Sequence, residues 1–352
     1  MRKLATIRKI DAIRPIEGAD AIECAVVGGW TVVVKKGEYQ AGDLAVYCEI
    51  DSWIPLELAP FLQKGDRGYE YNGVQGNRLR TVRLRGQLSQ GLLLPVDEVN
   101  GQKFIVGHFL DDGVGTMVMV KEGDGVSGAL GIQKWEAPIP AQLAGEVRGV
   151  FPGFIPKTDQ ERIQNLTVEV AEWTAAGLTF EVTEKLDGSS MTVYSFDGDE
   201  GVCSRNLNLR ETEQNSLWKV CRRENLLDKI AGRDLALQGE LIGEGIQGNP
   251  YKIKGQQFFV FDIYDIRAGK YFTPAQRRHF CDTYGINHVP VLTGCADKDL
   301  GTGDVAEILV WAEAKSVLND KTEREGLVFK CNADPAIHFK AISNKFLLKG
   351  GD

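Results

Sequence analysis

The hydrophobic positions of this chain come in two textures. Up to about residue 100 they form short runs broken by glycine-bearing turns. Residues 30–35 are a β-branched run opened by Trp30. Residues 37–43 then supply a turn, and residues 44–50 a second apolar run that stops at Asp51, Ser52 and Pro55. Residues 78–85 interleave Leu79, Val82 and Leu84 with arginines, and residues 91–95 follow as Gly-Leu-Leu-Leu-Pro. Many short strands with glycine-rich turns predict a small closed sheet, and a five-stranded OB-like barrel suits their number and spacing.

Beyond residue 157 the texture is mixed. Residues 179–183 alternate and run into Glu184-Lys185, which predicts a strand. Leu217, Val220, Leu227 and Ile230 recur at helical spacing and predict one helix over about 213–231. Residues 257–266 read as a strong aromatic strand, and residues 325–330 and 338–341 as two more. Thr273-Pro274 opens a helix that Gly285 closes, and Asp304 caps another through about Leu318. Helices interspersed with antiparallel strands predict an α+β domain. Pro138, Pro140, Pro152 and Pro156 crowd residues 136–158, which reads as a junction. The expected domains are therefore 1–145 and 146–352.

Composition narrows the class. The 352 residues suit about two domains, and 43% hydrophobic content excludes disorder as the main state. No stretch approaches about 18 consecutive apolar residues, so no membrane span is expected. The charged start, Met1-Arg2-Lys3, lacks an apolar signal core, and a cytoplasmic location is expected. Seven cysteines, with no C-x-x-C pair, exclude a complete disulfide framework. His108, His279, His288 and His338 show no zinc-ligand spacing. The net charge of −8 argues against a bulk electrostatic binder of nucleic acid. Charge is uneven, however. Lys64, Arg67, Arg78, Arg80, Arg83 and Arg85 face only Asp66 and Glu70 in residues 64–85. Such a local basic surface can serve a phosphate backbone, with Arg78, Arg80, Arg83 and Arg85 as its candidates; a solvated, aggregation-resistant strand edge has the same composition.

Chemistry concentrates where charges interrupt apolar strands. Lys185-Leu186-Asp187-Gly188 follows a strand. Glu240 lies inside residues 237–243, Asp262 inside 257–266, and Glu325 and Lys330 bracket a third run. Lys340 lies in a fourth. Buried strands rarely carry charges unless these are paired or bind something. Mutual neutralisation in a structural network and a ligand site are both open to this pattern.

In order and spacing these segments resemble the covalent nucleotidyltransferases: DNA ligases, RNA ligases and mRNA-capping enzymes. Lys185-Leu186-Asp187-Gly188 looks like motif I, Glu240 the motif III acid, and Phe259 or Phe261 the adenine-stacking aromatic. Glu325-Gly326 looks like motif IV and Lys340 like motif V. Residues 36–39, 85–91 and 157–165 are also similar to the two-domain ATP-dependent RNA ligases with an N-terminal OB domain. The chain ends 12 residues after Lys340, which leaves no room for the downstream OB domain of DNA ligases and capping enzymes. The resemblance implies an ATP-grasp-like, ligase-type catalytic domain at 146–352, with RNA and pyrophosphate handled on the side of 1–145.

It further implies a lysyl-AMP on Lys185, transfer of AMP to an RNA 5′-phosphate, and 3′-OH attack that seals a 3′-5′ phosphodiester, as in nick repair. Asp187, Glu240 and Glu325 would hold Mg²⁺ or Mn²⁺ mainly through water, and Lys340 would share the phosphate charge. Arg162, Gln164, Glu184, Leu186, Arg205, Phe261 and Lys330 join Lys185, Glu240 and Lys340 as the expected ATP-binding set. Phe261 is preferred over Phe259 for adenine. Glu184 would read the adenine edge. Arg205 would touch ribose or a 5′-phosphate, and Lys330 would touch phosphate or pair with an acid. Burial and a cation would push Lys185 towards neutrality. Related RNA ligases often carry a second lysine two residues into motif V; here that position is Ile342, and Lys345 lies three further on. No obligatory protein partner is implied. The alternatives are an ATP-dependent DNA ligase, an OB-type nucleic-acid-binding protein with an inactive nucleotidyltransferase domain, and a GTP-using capping enzyme.

Overall fold

The structure is a computed structural model that describes residues 3–63, 69–99, 101–109, 115–136 and 145–349. Met1 and Arg2, Lys64, Asp66 and Arg67 of the basic segment, Pro138 and Pro140 of the junction, and the side chain of His108 lie outside the described residues. The chain forms two compact units, Met1–Pro138 and Ile139–Gly351, a division a few residues ahead of the expected 145/146 boundary.

The first unit is built from short antiparallel strands. Ala5–Lys9, Leu44–Cys48 and Leu92–Leu94 form one sheet, and Ala12–Pro15, Ile22–Val27 and Trp30–Lys35 a meander. Ser52–Pro55 pairs with Val74–Arg78 and with Gln133–Lys134. Strand alternation explains the packing: Trp30, Val32 and Val34 point inward while their neighbours do not. Ile7, Val46, Cys48 and Ile54 anchor the core. The expected strand over 78–85 is instead the end of Val74–Arg78 and the start of a separate hairpin, Val82–Leu84 with Gln87–Ser89. Buried Leu79 bonds both to Ser52 and to Asp51 through its backbone, which separates the two.

The second unit pairs two sheets. One has seven strands, in the order Val147–Val150, Leu207–Leu209, Asp199–Cys203, Ser189–Phe196, Leu235–Gly243, Gln256–Asp265 and Lys270–Tyr271. The other has four: Glu161–Arg162, His338–Ile342, Gly326–Cys331 and Phe180–Lys185. Pairing is antiparallel throughout except between Glu161–Arg162 and His338–Ile342, which run parallel.

The helix Pro274–Tyr284 starts on a complete capping box from Thr273 and stops at Gly285, whose φ of 58° suits glycine. Two helices differ from expectation. The span 213–231 is broken into Ser216–Arg223 and Leu226–Ile230, because Asn225 turns left-handed between them at φ 49°. The helix capped by Asp304 ends at Ala312 rather than near Leu318. Beyond it, Val317 donates its N–H to Glu184 and Leu318 packs beside Leu186, and these distant contacts outweigh continued helix.

Candidate active site

Lys185 is the last residue of Phe180–Lys185, and its sheet partner is Gly326. The chain then crosses from the four-stranded to the seven-stranded sheet in three residues, Leu186-Asp187-Gly188, before Ser189 pairs with Leu241. Two glycines make this crossing possible by close approach. A Cβ on Gly188 would lie 2.5 Å from the Leu241 carbonyl oxygen and 2.9 Å from Cγ of Glu240. A Cβ on Gly326 would lie 2.3 Å from the carbonyl oxygen of Ala341. Any side chain at either position would push the lysine turn away from the acids.

Nζ of Lys185 lies 2.6 Å from Oε1 of Glu325, with the lysine side chain 27% and the acid 11% exposed. Desolvation lowers the lysine pKa, but Glu325, Glu240 and Asp187 together raise it above its ordinary value. The expected neutral amine is thus not the ligand-free state. Burial pushes Glu240 up to about 8, and the negative charges of Glu325 and Asp187 add to that while Lys185 opposes it. Carboxylates that repel one another this way are a donor set suited to a cation. Among the described residues no group of three His, Cys, Asp or Glu side chains is gathered closely enough to ligate an ion directly. A hydrated divalent cation, held through its waters, fits that spacing.

Glu184 is almost fully buried; Oε2 accepts the Val317 N–H at 2.7 Å, and burial raises its pKa. Leu186, Phe259 and Tyr251 are buried in one apolar cluster that Phe261 and Leu318 line. Phe261 sits at a bulge, since Gln238 pairs with Asp262 and Gly239 with Val260. Its ring stays half-buried whereas Phe259 is packed in. Arg162 is buried and pairs in register with Lys340, which is half-buried. Gln164, 1% exposed, has no hydrogen-bond partner for either amide atom among the described residues.

Other candidates are engaged elsewhere. Lys330 is buried and gives its ammonium to Asp262 and to the Phe261 carbonyl, so the paired-lysine reading is the one the geometry favours over a phosphate contact. Burial lowers its pKa to about 8. Arg205 is half-exposed and bridges Asp159 at 2.6 Å. Ile342 is buried, and Lys345 lies 3.5 Å from Glu313. In the first unit, Arg78 is not the exposed contact expected. It lies 2.7 Å from Asp51 and 3.9 Å over the Trp135 ring, with its side chain 7% exposed. Arg80, Arg83 and Arg85 are exposed.

Sequence reasoning missed two groups. Tyr251 accepts the Asp187 N–H at 2.5 Å. Arg277, 1% exposed, pairs with Glu181 and donates to Nε2 of His288 at 2.8 Å. A buried charge inside a helix pattern marks Arg277 only once the helix face is known; nothing local marks Tyr251.

A lysine at a strand end, facing carboxylates across two antiparallel sheets and accompanied by a β-rich first unit, is the arrangement of a covalent nucleotidyltransferase. An RNA ligase family model matches residues 178–347, and an OB-fold domain model matches residues 4–96. A solved structure of Naegleria gruberi RNA ligase with PPi is 48% identical, covers 99% of this chain and 98% of its own, and superposes with a TM-score of 0.84. Variants of that ligase with ATP and Mn and with AMP and Mn are 48% identical over 98% of both chains, with TM-scores of 0.84 and 0.85. No curated protein matches the chain. The chain belongs to the RNA ligase family. It is an enzyme, with an N-terminal OB fold and a C-terminal α+β ligase domain.

Proposed function

We propose that this chain seals RNA nicks at the expense of ATP, joining a 3′-OH to a 5′-phosphate through a lysyl-AMP on Lys185. The observation that carries it is the 2.6 Å pairing of Lys185 with Glu325 where the two sheets meet, with Glu240 and Asp187 close enough to perturb both. The Naegleria ligase structures with ATP, AMP, PPi and Mn support ATP and a divalent cation, Mn²⁺ or Mg²⁺, as the reactants' companions.

In the first step the deprotonated Lys185 amine attacks the α-phosphorus of ATP. A P–N bond forms as the nitrogen gives up a proton, the bond to the bridging oxygen breaks, and pyrophosphate leaves. An RNA 5′-phosphate oxygen then attacks the same phosphorus; the P–N bond breaks and the amine takes back a proton. The RNA 3′-OH finally displaces AMP and loses its proton as the phosphodiester forms. A bound divalent cation would neutralise phosphate charge and draw Glu325 off the lysine. Glu240, Asp187 and Glu325 would hold its waters, and Lys340 would face the α-phosphate. Phe261, half-exposed beside the buried Phe259, stacks on adenine, and Glu184 reads its edge. Arg162, Gln164 and Arg205 complete the nucleotide contacts. Arg80, Arg83 and Arg85 contact RNA. Seven unbridged cysteines, most of them buried, support a cytoplasmic location; among the described residues no helix is long and apolar enough to cross a membrane.

Incubation with α-labelled ATP and Mn²⁺, followed by denaturing electrophoresis, tests the reaction. Label is expected on the chain and is expected to vanish in Lys185→Ala. Normal labelling of that variant overturns the nucleophile. Nicks with an RNA or a DNA 3′-OH strand then separate RNA from DNA sealing.

A further inference from the structure

The sheet ladder that carries Lys185 ends at that residue, so the Asp187 N–H has left the sheet and needs another acceptor. The phenol oxygen of Tyr251 takes it, at 2.5 Å. Tyr251 is 4% exposed, and burial raises its pKa, which keeps the phenol neutral. It lies in the loop 244–255 between the Glu240 strand and the aromatic strand. That loop is held in an uncommon shape: Gln247, Asn249 and Lys252 are left-handed, with φ of 45°, 50° and 57°.

The same loop touches the lysine turn a second time. Nε2 of Gln247 donates to the Gly188 carbonyl at 3.4 Å. A third bond ties the loop to its neighbour, since Nδ2 of Asn319 donates to the Pro250 carbonyl at 2.7 Å. The neighbour is the segment whose Val317 N–H engages Glu184 and whose Leu318 packs against the Tyr251 cluster. The 184–188 turn is thus gripped from two loops, through its backbone at Asp187 and Gly188 and through the Glu184 carboxylate.

We propose that Tyr251 is a positioning residue for lysyl-AMP formation, fixing the turn between Lys185 and Gly188 through the Asp187 amide, with Gln247 as a weaker second hold. This rests on the reaction proposed above. A nucleophile held by a turn loses reactivity when the turn loosens, because in-line attack tolerates only small misplacements. A residue that merely fills the apolar cluster would instead affect nucleotide affinity.

The test is single-turnover labelling of the full chain with α-labelled ATP and Mn²⁺ across ATP concentrations. Tyr251→Phe keeps the ring and removes the oxygen. Its saturating rate is expected to fall about tenfold, with the half-saturating ATP concentration unchanged within about twofold. Gln247→Ala alters an exposed side chain and is expected to slow the same step about two- to threefold. A Tyr251→Phe rate within twofold of the unaltered chain overturns the assignment, as does an effect confined to half-saturation. If Tyr251→Phe melts much earlier than the unaltered chain, Gln247→Ala decides: a normal saturating rate overturns the clasp. Absence of label on the unaltered chain overturns the reaction itself, a result distinct from either.

Discussion

Charged residues inside apolar strands posed one question at the level of single side chains: pair or ligand. The structure answers differently for each. Lys330 and Asp262 neutralise one another in a buried group that also holds Arg277, Glu181 and His288. Lys185, Glu240 and Glu325 remain partly open. The buried group has a pH signature. Burial, reinforced by the Arg277 charge, lowers His288 to about 3, and its Nε2 must stay unprotonated to accept from Arg277. An unfolded histidine titrates near about 6.5, so below that pH the unfolded chain binds a proton the folded one refuses. Stability is then full above about pH 6.5 and falls towards pH 3. Between pH 7 and pH 5 this one group is expected to cost about 2 kcal/mol, read from urea denaturation at the two pH values. His288→Asn should flatten that slope. Arg78 yields a prediction of another kind. Arg78→Ala removes the guanidinium partner of Asp51 and uncovers Trp135, and is expected to destabilise the first unit by about 2–3 kcal/mol. Arg78→Lys should recover only part, since an ammonium lacks the flat face that lies on the indole.

Elements whose ends are written locally were legible, and those ended from afar were not. Thr273-Pro274 and Gly285 bound a helix because the cap, the ring constraint and the left-handed residue all act within one turn. The end of Val305–Ala312 depends on Glu184, more than a hundred residues away, so no window of sequence contains it. The break at Asn225 was legible in principle, because asparagine tolerates the left-handed region, but the apolar spacing spoke more loudly. The same rule governs the site. Motif residues carry side-chain chemistry that a sequence displays. The Tyr251 hydrogen bond goes to a backbone N–H that any residue at 187 would present, so nothing at either position signals it. Local caps also give a clean measurement. Oδ1 of Asn215 accepts from Leu217 and Trp218, so Asn215→Ala is expected to cost about 1 kcal/mol and lower the melting temperature by about 2–4 °C.

At the scale of the whole chain, a net charge of −8 has to be reconciled with an anionic polymer as substrate. The exposed hairpin Val82–Leu84 with Gln87–Ser89 offers a resolution confined to the first unit. Arg80, Arg83 and Arg85 are exposed on and beside it, Val82 and Leu84 are 43% exposed, and its two-residue turn is Arg85-Gly86. Both turn residues are left-handed, at φ 47° and 82°, a shape that suits Gly at either position and strains arginine at the first. Replacing Arg80 with Ala and Arg85 with Gly therefore removes two cations without threatening the hairpin. RNA binding is expected to weaken, and the slope of log affinity against log salt to shrink by about 0.7 for each single-strand phosphate that is no longer neutralised. Lysyl-AMP formation, whose proposed residues all lie in the second unit, should proceed at an unchanged rate. A parallel fall in labelling would mean that these arginines serve the nucleotide step, and an unchanged salt slope would mean that the hairpin is only a charged edge.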